Sequence, residues 1–174
     1  MNLATDLAFC TLRPWREADK PALLRHANNR SVWRNLTDLF PNPYTEADAD
    51  AWISIASRPG PSLHLAIAVD GEAAGGIGLA AGTGVDRLTA QFGYWLGEAF
   101  WGRGIATAAA RAMRRHAFAS TDFVRLEAPV FAWNPASARV LEKAGFTLES
   151  VRKNSVLKDG QLIDSFLYVA VRAV

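Results

Sequence analysis

The chain is 174 residues long, half of them hydrophobic and 21% charged, with 19 Lys and Arg against 17 Asp and Glu. That length predicts a single domain over residues 1–174 burying about 70% of its unfolded surface, and a net charge of +2 without a polybasic run argues against nucleic acid as a partner. Cys10 is the only cysteine, the N-terminus lacks a signal-peptide pattern and no apolar run reaches the ~18 residues of a membrane span, so a reducing, cytoplasmic setting is expected.

In chain order, a first strand is expected at about 7–13, with Cys10 as a small buried hydrophobe. A helix capped by Asp19, with Pro21 near its start, runs through Leu23, Leu24 and Ala27. Thr45 caps a second, with Trp52, Ile55 and Ala56 on its inner face. Strands at about 62–69 and 73–80 meet at the turn Asp70-Gly71, which reads as a hairpin. Alternation sets His64 opposite Leu63, Leu65 and Ile67, facing either a cleft or simply the other side of the sheet. Gly76-x-Gly78-x-x-Ala81 resembles a dinucleotide fingerprint but runs into Gly82-Thr83-Gly84, which cannot open a helix; it reads as glycine-rich strand and turn.

A strand at about 88–96 then enters Gly97-Glu98-Ala99-Phe100-Trp101-Gly102-Arg103-Gly104-Ile105-Ala106-Thr107, a short loop opening a helix. Unpaired amides and the macrodipole at such a junction favour an anion, and glycines at 102 and 104 let it come close. The P-loop pattern fails because Arg103-Gly104 stands where Lys-Ser/Thr is required, and the dinucleotide pattern meets Thr107 instead of its third glycine. A tight turn without a ligand is the competing reading. In the helix beyond, Ile105, Ala109, Ala112, Met113, His116 and Ala117 form the buried stripe, with Thr107, Arg111, Arg114 and Arg115 opposite. His116 reads as a partly buried helix residue and not a catalyst.

After a strand at about 123–131 comes a complete short helix: Asn134 as N-cap, Pro135 at its first position, Ser137 at N3 and Gly145 as left-handed terminator. Two strand-to-helix junctions from one sheet can face a common cleft. Strands at about 147–157 and 162–172, joined around Lys158-Asp159-Gly160, complete the chain. The sum is an α/β domain: a mixed, mostly antiparallel sheet of about six to seven strands with about four helices.

Trp101-Gly102-Arg103-Gly104-Ile105-Ala106 together with Asn134-x-x-Ser137-x-x-Val140-Leu141-Glu142-Lys143-x-Gly145-Phe146 resembles the GCN5-related N-acetyltransferases (GNAT), in particular the Rim-type branch of ribosomal-protein N-terminal acetyltransferases. Phe40-Pro41-x-Pro43-Tyr44-Thr45, Phe92-Gly93-Tyr94-Trp95-Leu96 and Asp164-x-x-x-Tyr168 extend the likeness over most of the chain. The resemblance implies acetyl-CoA as cosubstrate, no metal, and a primary amine as acceptor, on a protein N-terminus or a small molecule. It also implies that the amides around Gly104 and Ala106 hold the pyrophosphate, with Trp101 a departure from the superfamily's Gln/Arg that the Rim-type branch shares. Asn134 would contact the pantetheine, and Ser137 would stand near the sulfur. The cofactor set so implied is Tyr94, Trp95, Leu96, Trp101, Gly102, Arg103, Gly104, Ile105, Ala106, Thr107, Asn134, Ser137 and Lys143, with Lys143 and the arginines of the 103–115 helix as candidates for the 3′-phosphate.

Acyl transfer from a thioester to an amine needs a proton acceptor for the amine, a donor for the developing oxyanion and a donor for the leaving thiolate. A strand amide near Leu96 suits the second and Ser137 the third. The Glu/Tyr acid–base pair of some relatives is absent, since Pro129 and Leu141 stand there; Glu98 or Glu127 is then the candidate base, against a solvated turn residue and a salt-bridged strand residue respectively. Trp33, Phe40, Tyr44 and Trp52 are expected to border the acceptor groove, or to serve as core or as a homodimer contact. The competing functions are a non-catalytic acyl-CoA sensor with the same fold and an RNA- or ribosome-associated adaptor, for which the sequence offers no clear basic face.

Overall fold

The computed structural model describes residues 1–173. Its strands are β1 (Leu3–Ala4), β2 (Cys10–Pro14), β3 (Leu63–Val69), β4 (Glu72–Ala81), β5 (Thr89–Leu96), β6 (Arg125–Phe131), β7 (Thr147–Lys158) and β8 (Gln161–Val171). Five α-helices accompany them: α1 (Lys20–Ala27), α2 (Arg30–Trp33), α3 (Glu46–Ala56), α4 (Ile105–Ser120) and α5 (Pro135–Lys143). The strands form one sheet in the order β1-β2-β3-β4-β5-β6-β8-β7, antiparallel except for the β5–β6 pair. The two-residue β1 and the one-turn α2 carry too little periodicity to be read from sequence, which accounts for the extra elements.

Both expected hairpins are present. Asp70 and Gly71 have φ of 49° and 88°, and Asp159 and Gly160 have 51° and 72°. Positive φ at both central positions is the turn whose twist matches its flanking strands. The strand expected at about 7–13 is β2 and starts later, at Cys10, because the Cys10 amide donates to Leu7 O and closes a turn over residues 7–9. Cys10 itself is buried, and burial pushes its thiol pKa up, as expected of a packing residue.

Side chains leave the sheet on two faces, each with its own core. Leu12, Leu65, Ile67, Ile77, Phe92 and Leu126 meet Ile105, Ala109, Met113 and Ala117 of α4 on one face. Five buried alanines in α4 let its backbone lie close to the strands. Trp15, Ala66 and Ala73 meet Leu23 and Ala27 of α1 and Ala49 and Ile53 of α3 on the other.

Two local expectations change. Asp19 precedes α1, yet its carboxylate is buried in a two-bond pair with Arg13 (2.7 and 2.8 Å) and accepts from the Arg16 amide at 2.9 Å, so it cannot also cap the helix. Buried charges are held by partners of opposite sign, and here the guanidinium takes precedence over the cap. In α3, Thr45 and Asp48 form a capping box, but Ala49 and Ile53 supply the buried stripe; Ile55 is exposed and Trp52 half-buried.

The site depends on where β5 and β6 part. Their parallel ladder has only three rungs, Thr89–Arg125, Ala90–Leu126 and Gln91–Glu127. The Ala132 amide bonds Asp164 O, so in the β6–β8 register the backbones of Arg125, Glu127 and Pro129 face β5. Pro129 has no N–H to continue that ladder. The residue standing in place of a relative's glutamate therefore ends the pairing and lets the strands diverge.

Candidate active site

The divergence opens a cavity of about 830 Å³ that runs through the sheet from one face to the other. On the α4–α5 face it is lined by Tyr94 and Leu96, by residues 100–107, and by Asn134, Ser137, Arg139 and Lys143. On the α1–α3 face its lining includes His64, Gly76, Gly78, Gly93 and Trp95, with Phe40, Tyr44, Asp48, Trp52 and Ile55. The two halves are called the loop arm and the apolar arm below.

In the loop arm the binding groups are backbone. Gly102 and Gly104 have φ of 73° and 75°, and a Cβ at either would meet nothing within 4 Å, so the space in front of them is open. The first helical bond runs from the Ala108 amide to Gly104 O; among the described residues the amides of 102–107 find no acceptor, and the first turn of α4 holds no acidic side chain. A cluster of unspent donors at the positive end of a sixteen-residue helix fits a pyrophosphate. Trp101, the departure from the superfamily pattern, donates its indole N–H to Leu96 O at 2.7 Å and pins the loop to the strand. Arg103, Arg139 and Lys143 supply positive charge along this arm. Arg111 and Arg115 instead reach Asp6, and Arg114 packs against Gly145 and Phe118. Arg139, on an exposed turn of α5, is the basic residue that sequence spacing does not single out.

Asn134 caps α5, its Oδ1 accepting from the Ser137 amide at 3.2 Å. Ser137 Oγ lies 2.7 Å from the Tyr94 hydroxyl, which also reaches Ser137 O at 3.2 Å. Burial pushes the Tyr94 phenol up to about 12, the hydrogen bond to Ser137 partly opposing it, so the pair holds its protons at neutral pH. Tyr94 thus orients the serine hydroxyl, a partnership invisible in sequence because 43 residues separate the two. The Gly97 amide bonds Ala74 O, so in the β4–β5 register the Leu96 amide turns away from β4 and into the gap. A free strand donor stands where the oxyanion argument requires one.

All thirteen sequence-expected cofactor positions line the cavity; the two carboxylates do not. Glu98 accepts from Asn29 Nδ2 at 2.8 Å, tying the loop to the start of α2. Glu127 pairs with Arg125 at 2.7 Å, and Arg125 in turn holds Glu149. Each is held by a partner outside the cavity, Glu98 by a neutral amide and Glu127 by a guanidinium, so neither side chain reaches the cleft. Of the four aromatics expected at the groove, Phe40, Tyr44 and Trp52 line it, while Trp33 lies beneath Lys158, whose Nζ is 3.7 Å from the ring centroid. His64 does face the cleft. No group of His, Cys, Asp and Glu able to hold a metal is found among the described residues, and no helix there is long and apolar enough to cross a membrane.

A family model describing an acetyltransferase (GNAT) domain matches residues 10–147. A probable N-acetyltransferase, YjcK of Bacillus subtilis, is 43% identical over 72 residues, 41% of this chain and 40% of its own length. The chain spans about half the length of the first curated relatives it matches, 40%, 44% and 57%. Among solved structures, Mycobacterium smegmatis RimJ in complex with CoA-disulfide superposes with a TM-score of 0.85 at 27% identity, over 98% of this chain and 86% of the other. RimL, a ribosomal L7/L12 alpha-N-protein acetyltransferase in complex with coenzyme A, superposes with a TM-score of 0.86 over 98% of both chains; at 23% identity it is a likeness of fold.

Proposed function

The chain belongs to the acetyltransferase (GNAT) domain family, and from that premise we propose that it transfers the acetyl group of acetyl-CoA to a primary amine by direct attack in a ternary complex. The observation that carries this reading is one continuous cavity joining an unsatisfied amide cradle to an apolar arm across the β5–β6 gap. Acetyl-CoA supplies the activated acyl group. The amides of 102–107 and the side chains of Arg103, Arg139 and Lys143 hold its phosphates, and Asn134 and Tyr94 border the path of the pantetheine. The Leu96 N–H serves the carbonyl oxygen as it gains charge on attack. Ser137, steadied by Tyr94, donates to the departing thiolate.

RimL, by name a ribosomal L7/L12 alpha-N-protein acetyltransferase, and the L-amino acid N-acetyltransferase AaaT of Escherichia coli support a protein N-terminus or a small amine as acceptor. We also propose that residues 1–174 act as one acetyltransferase domain, working in the cytoplasm. A homodimer is favoured by the edge strand β7, which exposes Leu148, Val151 and Leu157, with Leu162 exposed on neighbouring β8.

Mixing the protein with acetyl-CoA and a panel of primary amines tests the proposal: thiol release dependent on an amine is expected. The sensor reading is favoured by the absence of Glu98 and Glu127 from the cavity, and a large thermal shift with CoA beside silence across the panel would select it.

A further inference from the structure

The carboxylates being engaged elsewhere, the acceptor amine still needs a group to take its proton. We propose that His64 is that group, and that Gly78 and Gly93 keep open the corridor in which the imidazole and the amine meet. This rests on the acetyl-transfer reading and adds to it the residue that makes the nucleophile.

His64, Gly78 and Gly93 occupy one cross-strand row on β3, β4 and β5, on the apolar-arm face. A Cβ on Gly78 would come within 2.6 Å of His64 Nδ1, so the ring lies across the Gly78 backbone and leans toward β5. A Cβ on Gly93 would meet nothing within 4 Å, so the row ends in open cavity. With strands about 4.8 Å apart, the His64 and Gly93 backbones are roughly 10 Å apart, and the leaning ring leaves room for an amine with at most one bridging water. The next residue on β5 is Tyr94, which holds Ser137 on the opposite face of the gap. The proposed base and the thiolate donor thus flank the place where the strands separate.

The surroundings suit a neutral imidazole. Trp52 of α3 meets the ring edge-on at 5.2 Å, and no hydrogen bond occupies either ring nitrogen among the described residues. From α3 the only ionisable group lining the arm is Asp48, whose carboxylate accepts from the Thr45 amide (2.8 Å) and hydroxyl (2.6 Å). Tyr44, from the segment before α3, has its phenol pushed up to about 12 by burial and stays neutral. Across the row, β4 contributes Gly76, Gly78 and Ala80, and β5 contributes Gln91, Gly93 and Trp95, none of them titratable. No carboxylate raises the imidazole pKa; burial lowers it, leaving a free lone pair at neutral pH. The other two histidines are placed differently, His26 on Glu72 at 2.6 Å and His116 on α4 outside the cavity lining.

The acceptor arrives as an ammonium ion, and one proton passes to His64, directly or through one water. The freed nitrogen lone pair forms the C–N bond, the C–S bond breaks, the second nitrogen proton reaches the thiolate by way of Ser137, and His64 returns its proton to solvent. One amide, one thiol and one released proton balance the step.

The test is kcat against pH for wild type, His64→Gln and His64→Asn, with acetyl-CoA and three probes: 2-phenylethylamine, an alanyl-phenylalanine amide and spermidine. A thermal shift with CoA confirms that each variant is folded, His64→Asn standing in if His64→Gln is not. Expected for the wild type is a plateau reached below or near the ordinary imidazole value of about 6.5. Expected for the variants is about a hundredfold loss at pH 7 that shrinks as pH rises and solvent deprotonates the amine, with CoA affinity within about twofold. A variant with wild-type rate and profile overturns the assignment, and so does a loss equal at every pH, which is what a merely structural role produces. Both results leave acetyl transfer standing. Silence of the wild type across the panel overturns the transfer reading, and His64 falls with it.

Discussion

The two arms of the cavity are built by opposite means. The loop arm is a backbone device: two left-handed glycines, a run of unspent amides and a helix terminus, all within residues 102–107. Its donors point where they do because the chain turns there, and few side chains matter. The apolar arm is a side-chain device assembled from the β3–β4 hairpin, β5, and α3 with the segment before it, pieces that only the folded sheet brings together. Its far wall is strapped from outside by the β7–β8 turn. Lys158 is buried against Trp33 and bonds Asp38 at 2.7 Å, and Asp159 accepts both bonds from Arg30. A site made of backbone binds one invariant chemical group, and a site made of side chains can be altered without touching the first.

That separation can be broken most severely at Gly104. Gly104→Glu strains a backbone at φ 75° and puts a carboxylate where an anion should sit, and CoA affinity is expected to fall at least a hundredfold by calorimetry. Ser137→Ala comes next: kcat should drop by about a hundredfold with the KM for acetyl-CoA little changed, because the lost hydrogen bond matters most once the thiolate forms. Normal turnover would remove Ser137 from the mechanism. Gly93→Val reads the other arm. A Cβ there meets no atom within 4 Å, so the protein should remain folded while the amine KM rises about tenfold, some 1.4 kcal/mol, and CoA affinity stays put. A matching loss of CoA affinity would show that the arms are not separable there. Lys158→Met should have the smallest effect, raising the amine KM about threefold through a looser 30–41 wall, as steady-state assays would show.

Much of the loop arm is legible in the amino-acid sequence, because its information is local. Gly102, Gly104 and the helical run from Ile105 state the turn and its donors within a few residues, and Asn134-Pro135 states the second junction in the same way. Resemblance to the family then turned an anion site into one for coenzyme A. Glu98 and Glu127 lie outside the cavity lining, Glu127 salt-bridged to Arg125 as its alternative reading has it, and Glu98 bonded to Asn29, a partner 69 residues away that no local pattern reveals. The alternation that put His64 opposite Leu63 and Leu65 was right about the face and silent about what lay across it.

By itself the sequence determined the order of the strands and helices other than β1 and α2, both hairpin turns and the glycine loop, since each follows from periodicity, positive-φ residues or caps acting over a few positions. Only the tertiary structure decided that β5 and β6 part at Pro129, that Tyr94 meets Ser137, and that His64 looks down a row of glycines into an apolar arm. Those facts depend on register between strands and on which of two partners a charge selects. Both are settled by packing across the whole sheet, and no short window of residues contains them.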